Sequence, residues 1–252
     1  MKSPFAYIGG KSRLAQAIIE RIPEHVTYVE PFSGGARVFF EKPRSKVEVL
    51  NDLDSRLVNF YRVCQCHCEE LIRSMRFMPI SREWFEDFEG STPKSLTDIQ
   101  RAARFLYLQK LSYAGRASKR VYGVRVIQKH SMNQELISKL LSDAHSRLAG
   151  VQIEHLPYDQ LIRRYDRSST LFYLDPPYYG FQYYKYNFEP KDFVRMAELL
   201  RTIKGKFILS LNDHPQVRKL FSSFTVETVS VSYSLQRIAG KRPQELLIRN
   251  FK

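Results

Sequence analysis

At 252 residues the chain is long enough for one substantial core with a small appended unit, and too short for several large domains. Forty Lys and Arg against 26 Asp and Glu leave +14, a large surplus that suggests a polyanionic partner. General solubility or attraction to anionic lipid would also use such charge, but no run approaches the roughly 18 apolar residues of a membrane span.

In chain order, apolar and β-branched runs at 27–32, 47–50, 151–154, 170–174, 207–211, 225–231 and 245–248 predict strands. Helical patterns at 11–21, 53–73, 134–148, 191–203 and 215–221 fall between several of them. Strands alternating with helices predict a parallel α/β sheet, and the last two strands, with no helix between them, predict a terminal antiparallel hairpin. From 71 to 129 the alternation lapses into helical patterns at 81–88 and 96–111, followed by an irregular stretch bearing Gly and Arg. The expected organisation is an α/β domain built from 1–65 and 150–252, with a helical basic insertion at 66–149.

That insertion holds a one-sign stretch. Between Ile99 and Gln134 there is no acidic residue, while Arg101, Arg104, Lys110, Arg116, Lys119, Arg120, Arg125 and Lys129 are basic. Tyr107, Tyr113 and Tyr122 are interleaved, the pattern of a nucleic-acid surface. Cys64, Cys66 and Cys68 flank His67 but lack metal-knuckle spacing and a second pair, so no metal is expected. On a helix, Cys64 and Cys68 share a face and Cys66 points elsewhere. The N-terminus, with Pro4 and two glycines soon after Lys2, lacks a signal-peptide core, and a cytoplasmic location is expected.

The most specific chemistry follows the run at 171–174, which stops at Asp175-Pro176-Pro177-Tyr178. A strand ending there presents a carboxylate and a proline-fixed carbonyl side by side. Two such acceptors can hold the hydrogens of an amino group while the aromatic stacks on a flat ring. Near the N-terminus, Glu30 ends a predicted strand before Pro31-Phe32-Ser33-Gly34-Gly35. Alone that turn signals little, but about twenty residues later Asp52 closes the next strand, where an acidic side chain holds ribose hydroxyls in doubly wound sheets. No Walker-type lysine follows Gly34-Gly35, which disfavours a nucleoside triphosphate.

Tyr7-Ile8-Gly9-Gly10-Lys11, Glu30-Pro31-Phe32-Ser33-Gly34-Gly35, Asn51-Asp52 and Asp175-Pro176-Pro177-Tyr178 occur in the order that marks one family. The chain resembles the Dam-like, D12-class DNA adenine methyltransferases over about residues 1–65 and 150–252. The resemblance implies a Rossmann-like methyltransferase fold, S-adenosylmethionine as cofactor and double-stranded DNA as partner, in a monomer or weak dimer without a metal. It places Tyr7, Gly9, Gly10, Lys11, Glu30, Pro31, Phe32, Gly34, Asp52, Tyr158 and Asp175 around the cofactor, with Lys11 on its carboxylate; otherwise Lys11 reads as a surface lysine. Asp175 and Pro176 would hold the amino group of adenine and Tyr178 would stack on a base rotated out of the duplex. Tyr113, Arg116, Lys119, Arg120 and Arg125 would meet DNA. Relatives read guanine with an arginine two residues beyond Tyr-Asn-Gly; here Arg116 directly follows Tyr113-Ala114-Gly115, so Arg116 or Arg120 takes that part and a GATC target does not follow. Tyr179, Phe181, Tyr183, Tyr184, Tyr186 and Phe188 form either a wall against the base or an ordinary aromatic loop. RNA adenine or the cytosine amino group are alternative substrates, and a non-catalytic DNA-binding protein is a further reading.

Overall fold

The structure is a computed structural model; it describes residues 3–5, 7, 11, 14–90, 95–113, 120–124, 132–182, 184–230 and 244–252. Each of the seven predicted strands is present: β1 (Thr27–Glu30), β2 (Val47–Asn51), β3 (Gln152–Glu154), β4 (Thr170–Leu174), β5 (Lys206–Asn212), β6 (Thr225–Ser230) and β7 (Gln244–Arg249). They form one sheet in the order β3-β2-β1-β4-β5-β7-β6. β1 to β5 pair in parallel, while β7 inserts antiparallel between β5 and β6.

This order sets the position of the site. The chain runs outward from β1 through β2 to β3, then returns to lay β4 against the other side of β1. Connections leaving β1 and β4 therefore diverge, opening a crevice at the carboxyl ends of these strands. β4 is buried at all five positions because helices cover both faces of the sheet. Alternation then divides the core: Tyr28, Leu50, Leu171 and Tyr173 face one apolar cluster, while Val29, Val49, Phe172 and Leu174 face the other.

The first face carries α1 (Ala15–Ile19), α2 (Arg37–Glu41) and α3 (Ser55–Cys66), and its apolar cluster continues through α4 (Cys68–Arg76), α5 (Arg82–Gly90), α6 (Asp98–Leu111) and α7 (Gln134–Leu148). Phe60 of α3 and Phe105 of α6 pack at 5.6 Å, with Phe5 edge-on to both. Thr97 and Gln100 close a capping box that fixes where α6 starts. The opposite face carries α8 (Tyr158–Tyr165), α9 (Pro190–Thr202) and α10 (Pro215–Leu220).

Two differences from the sequence reading stand out. The helix expected across 53–73 is two helices, broken at His67, whose φ of −136° leaves the helical region. The break lets α4 fold back so that Cys64 and Cys68 both donate to the Leu141 carbonyl of α7, at 3.8 and 3.5 Å, while Cys66 is exposed. The second difference is α8, which burial of Leu161 and Ile162 forms from a segment too short and too charged to read as a helix.

Candidate active site

The carboxyl ends of β1, β2 and β4 open on one cleft, and its wall collects residues from distant parts of the sequence. Tyr7, Lys11, Glu30, Phe32, Gly34, Asp52 and Asp175 all line it. It encloses about 100 Å3 and, counted out through its mouth, about 870 Å3.

Glu30 is buried, and its Oε1 accepts from the Tyr28 hydroxyl at 2.6 Å and the Phe39 amide at 2.9 Å. The second bond satisfies an amide in the first turn of α2, so Glu30 anchors that helix as well as facing the cleft. Between them the chain turns through Gly34 at φ +46° and Ala36 at φ +48°. A side chain on Gly34 or Gly35 would crowd Tyr7, whose atoms lie 3.0–3.3 Å from the positions of their absent Cβ atoms. The glycines therefore make room for an aromatic from the N-terminal segment.

Asp52 receives the Gly34 amide at 3.0 Å and the Asp54 amide at 2.9 Å, which ties the β2 end to the Gly-Gly turn. Asn51 beside it supplies a role the sequence did not reveal. Its amide donates to the carbonyls of Pro31 and Leu156, and its oxygen accepts from the Leu156 amide at 2.8 Å. One buried side chain thus joins the loops after β1, β2 and β3. A polar residue closing a buried strand was the available signal.

Asp175 leaves β4 directly into the cleft. Its Oδ1 receives Lys11 Nζ at 2.7 Å and the Ser210 hydroxyl at 3.1 Å; Oδ2 has no hydrogen-bond partner among the described residues. Lys11 also bonds the Tyr178 hydroxyl at 2.6 Å and lies 3.8 Å from Glu245 of β7. The lysine is buried and engaged with the protein's own acids, instead of projecting to solvent as a surface lysine would. Tyr179 is clasped by Asn212, which accepts from its amide at 2.9 Å and donates to its carbonyl at 3.1 Å, so β5 fixes the loop after β4. Ser210, Glu245 and the clasping function of Asn212 were not legible, because each depends on which strand lies beside β4.

Burial is the largest influence on these acids. It pushes the Glu30 carboxyl up to about 8 against its two donors. It raises Asp52 to about 6 against the amides of Asp54 and Gly34, and raises Asp175 while Lys11 pulls the other way. Three carboxyls with raised proton affinity around one crevice mark it as a candidate functional site.

Other expected residues lie off the cleft wall. Pro176 is buried beside it, Pro31 is held by Asn51, and Tyr158 packs against Phe32 and Phe188 at 5.4 and 5.6 Å. Tyr178 is turned onto Lys11, whose Nζ is 4.6 Å from its ring centroid. Of the aromatic run, Tyr184, Tyr186 and Phe188 line the cleft, and Tyr184 stacks on Tyr7 at 6.5 Å. Gly9, Gly10, Arg116, Lys119, Arg125 and Tyr183 lie outside the described residues. Tyr113 is exposed. Arg120, expected at the DNA, is turned inward: its side chain is 2% exposed and bonded to Glu89 and Gln109 beneath α6.

A mostly parallel seven-stranded sheet with a terminal antiparallel hairpin, and a carboxylate-lined crevice at its reversal point, define the Rossmann-like methyltransferase class. Within it, the chain belongs to the D12 class N6 adenine-specific DNA methyltransferases, whose family model matches residues 7–235. It is 25% identical over 277 residues to the type II methyltransferase M1.LlaDCHI of Lactococcus lactis subsp. cremoris, covering 98% of this chain and 95% of that protein. It is 25% identical over 264 residues to the type II methyltransferase M.CviBI of Paramecium bursaria Chlorella virus NC1A, covering all of both. A DNA adenine methylase of Escherichia coli (strain K12) is 31% identical over 113 residues, 43% of this chain and 40% of that protein. Among the described residues there is no cluster of three or more metal-ligating side chains, and no helix is long and apolar enough to cross a membrane.

Proposed function

We infer that the cleft binds S-adenosylmethionine and that the protein methylates the exocyclic amino nitrogen of adenine in double-stranded DNA, by direct displacement on a base rotated out of the helix. The observation that carries this reading is the convergence of Glu30, Asp52 and Asp175 on one crevice. The donor set fits the cofactor. Asp52 retains lone pairs for ribose hydroxyls, Phe32 offers an aromatic face, and the acids complement a sulfonium. Such a cofactor, when bound, supplies an electrophilic methyl group.

The remaining chemistry belongs to the chain. An adenine amino nitrogen is a poor nucleophile because its lone pair is delocalised into the ring. Asp175 Oδ2 is free to accept one amino hydrogen, and the Pro176 carbonyl is assigned the other. Both bonds favour a pyramidal nitrogen, and the carboxylate stabilises positive charge as it develops. Lys11 and Ser210 hold Asp175 by Oδ1, keeping it oriented and ionised before the base arrives. Tyr178 would stack on the base after leaving Lys11. Residues 66–149 would form the target-recognition unit, with Tyr113 and the basic segments after it meeting the duplex.

Incubation with tritiated S-adenosylmethionine and either unmethylated duplex DNA or RNA, followed by digestion to nucleosides, tests this. Label in N6-methyladenine from DNA is the expected result. Label in RNA or in N4-methylcytosine would change the substrate, and no transfer to any nucleic acid would overturn the catalytic reading.

A further inference from the structure

A second cavity lies on the other side of Asp54 from the cleft. It encloses about 670 Å3 between α3 and α6. Its wall carries Arg56 and Arg62 from α3, Arg101 and Arg104 from α6, and Arg120 from the segment beyond α6. The acids on that wall are Glu89 and Asp98, and Arg56 is paired with Asp54 just beyond it, so five guanidinium groups meet three carboxylates, an excess of two positive charges. Both wall acids are already engaged, Glu89 with Arg120 and Asp98 with Arg101.

The wall of this cavity carries a buried donor without an acceptor among the described residues. Arg120 donates through Nε to Gln109 at 3.0 Å and through Nη1 to Glu89 at 3.2 Å. Its Nη2 is buried and has no hydrogen-bond partner among the described residues. Leaving a buried N–H of a charged group without an acceptor is costly, and a phosphate oxygen is the acceptor for which a guanidinium fork is best suited. Burial disfavours the charged form of both Arg120 and Arg104, and Arg56 adds like-charge repulsion to each that the Glu89 carboxylate offsets only in part. An arriving anion relieves both effects.

We propose that the α3–α6 cavity is a phosphate-binding groove that grips the backbone of the substrate duplex. The assignment rests on the DNA reading above and extends it to a surface formed by α3 as much as by the insertion. From Arg56 to Arg62, α3 advances about 9 Å, enough for one or two phosphates of a strand. The Arg56–Asp54 ion pair, at 2.7 Å, joins groove and cleft, since Asp54 lines one and Arg56 the other. A backbone held in the groove is therefore held beside the methyl-transfer cleft.

The test is the double variant Arg62→Ala with Arg101→Ala, two exposed side chains outside the cleft. Binding of a non-specific duplex is measured against salt concentration, with cofactor affinity as the check on folding. The expected result is about tenfold weaker DNA binding near 0.1 M salt and a salt slope reduced by about 1 to 2, with cofactor affinity unchanged. Should the double variant lose cofactor affinity, single Arg62→Gln must still reduce the slope by about 1. An unchanged slope overturns the proposal. Titration with inorganic pyrophosphate separates the sources: binding that the variant abolishes, alongside an unchanged DNA slope, assigns the groove to a free phosphate compound and overturns the backbone assignment. If the wild-type protein shows no salt-dependent duplex binding at all, the DNA reading itself falls and the groove assignment falls with it.

Discussion

The two cavities that meet at the Asp54–Arg56 ion pair differ in charge and in construction. The cleft at the strand ends is lined by Glu30, Asp52, Asp54 and Asp175, against Lys11, Arg37 and Lys185. Its acids are fixed by backbone amides and neighbouring hydroxyls, and burial raises their proton affinity. The α3–α6 groove is lined by five arginines, four of them on helices, with Arg62 and Arg101 exposed. A small cation needs a few rigid acceptors in low dielectric, whereas a long polyanion needs many mobile cations on an open face. The protein supplies each where its secondary structure allows: strand ends give rigidity, helix faces give length.

The largest expected effect breaks both cavities together. Buried Arg147 on α7 ties that helix to the sheet through Glu48 and the Phe39 carbonyl, stacking 3.7 Å from the Phe39 ring. Arg147→Ala leaves buried Glu48 with only Lys42 and the Ser45 amide, and should cost about 3–5 kcal/mol in equilibrium urea unfolding. Loss of less than about 1 kcal/mol would mean that the two halves do not depend on this link. Asp175→Asn attacks the acidic cleft alone: turnover should fall roughly 10²- to 10³-fold while duplex retention and its salt slope stay as in wild type. Residual wild-type turnover would refute the assigned role of Asp175.

Smaller changes sharpen the comparison. Asp52→Asn should weaken S-adenosylmethionine binding about tenfold by calorimetry, since it removes a charged acceptor, and leave the DNA salt slope unchanged. The finest effect is in pH. Asp52 has its carboxyl raised to about 6, and ribose donors favour the ionised form. Its contribution to cofactor affinity is therefore present above pH 6 and lost as the pH falls through that value. Between pH 7 and pH 5.5 this contribution should change by about fourfold. The Asp52→Asn variant should lack this component; equal pH dependence in both proteins would remove Asp52 from the site.

The sequence by itself determined the sheet and the acidic cleft. Strand runs are recognised by local apolar patterning, and Glu30, Asp52 and Asp175 sit where such runs end, so parallel strands carry them to one edge. Only the tertiary structure decided the partners of those residues. Lys11 reaches Asp175 and Glu245 because β7 inserts between β5 and β6, a pairing no local pattern encodes. The basic stretch read as one outward surface is divided in the same way. Packing of Phe60 on Phe105 turns Arg101 and Arg104 toward the α3 arginines and seats Arg120 below them. Charge count is additive along a chain, but the face on which a charge emerges is set by which helices pack together.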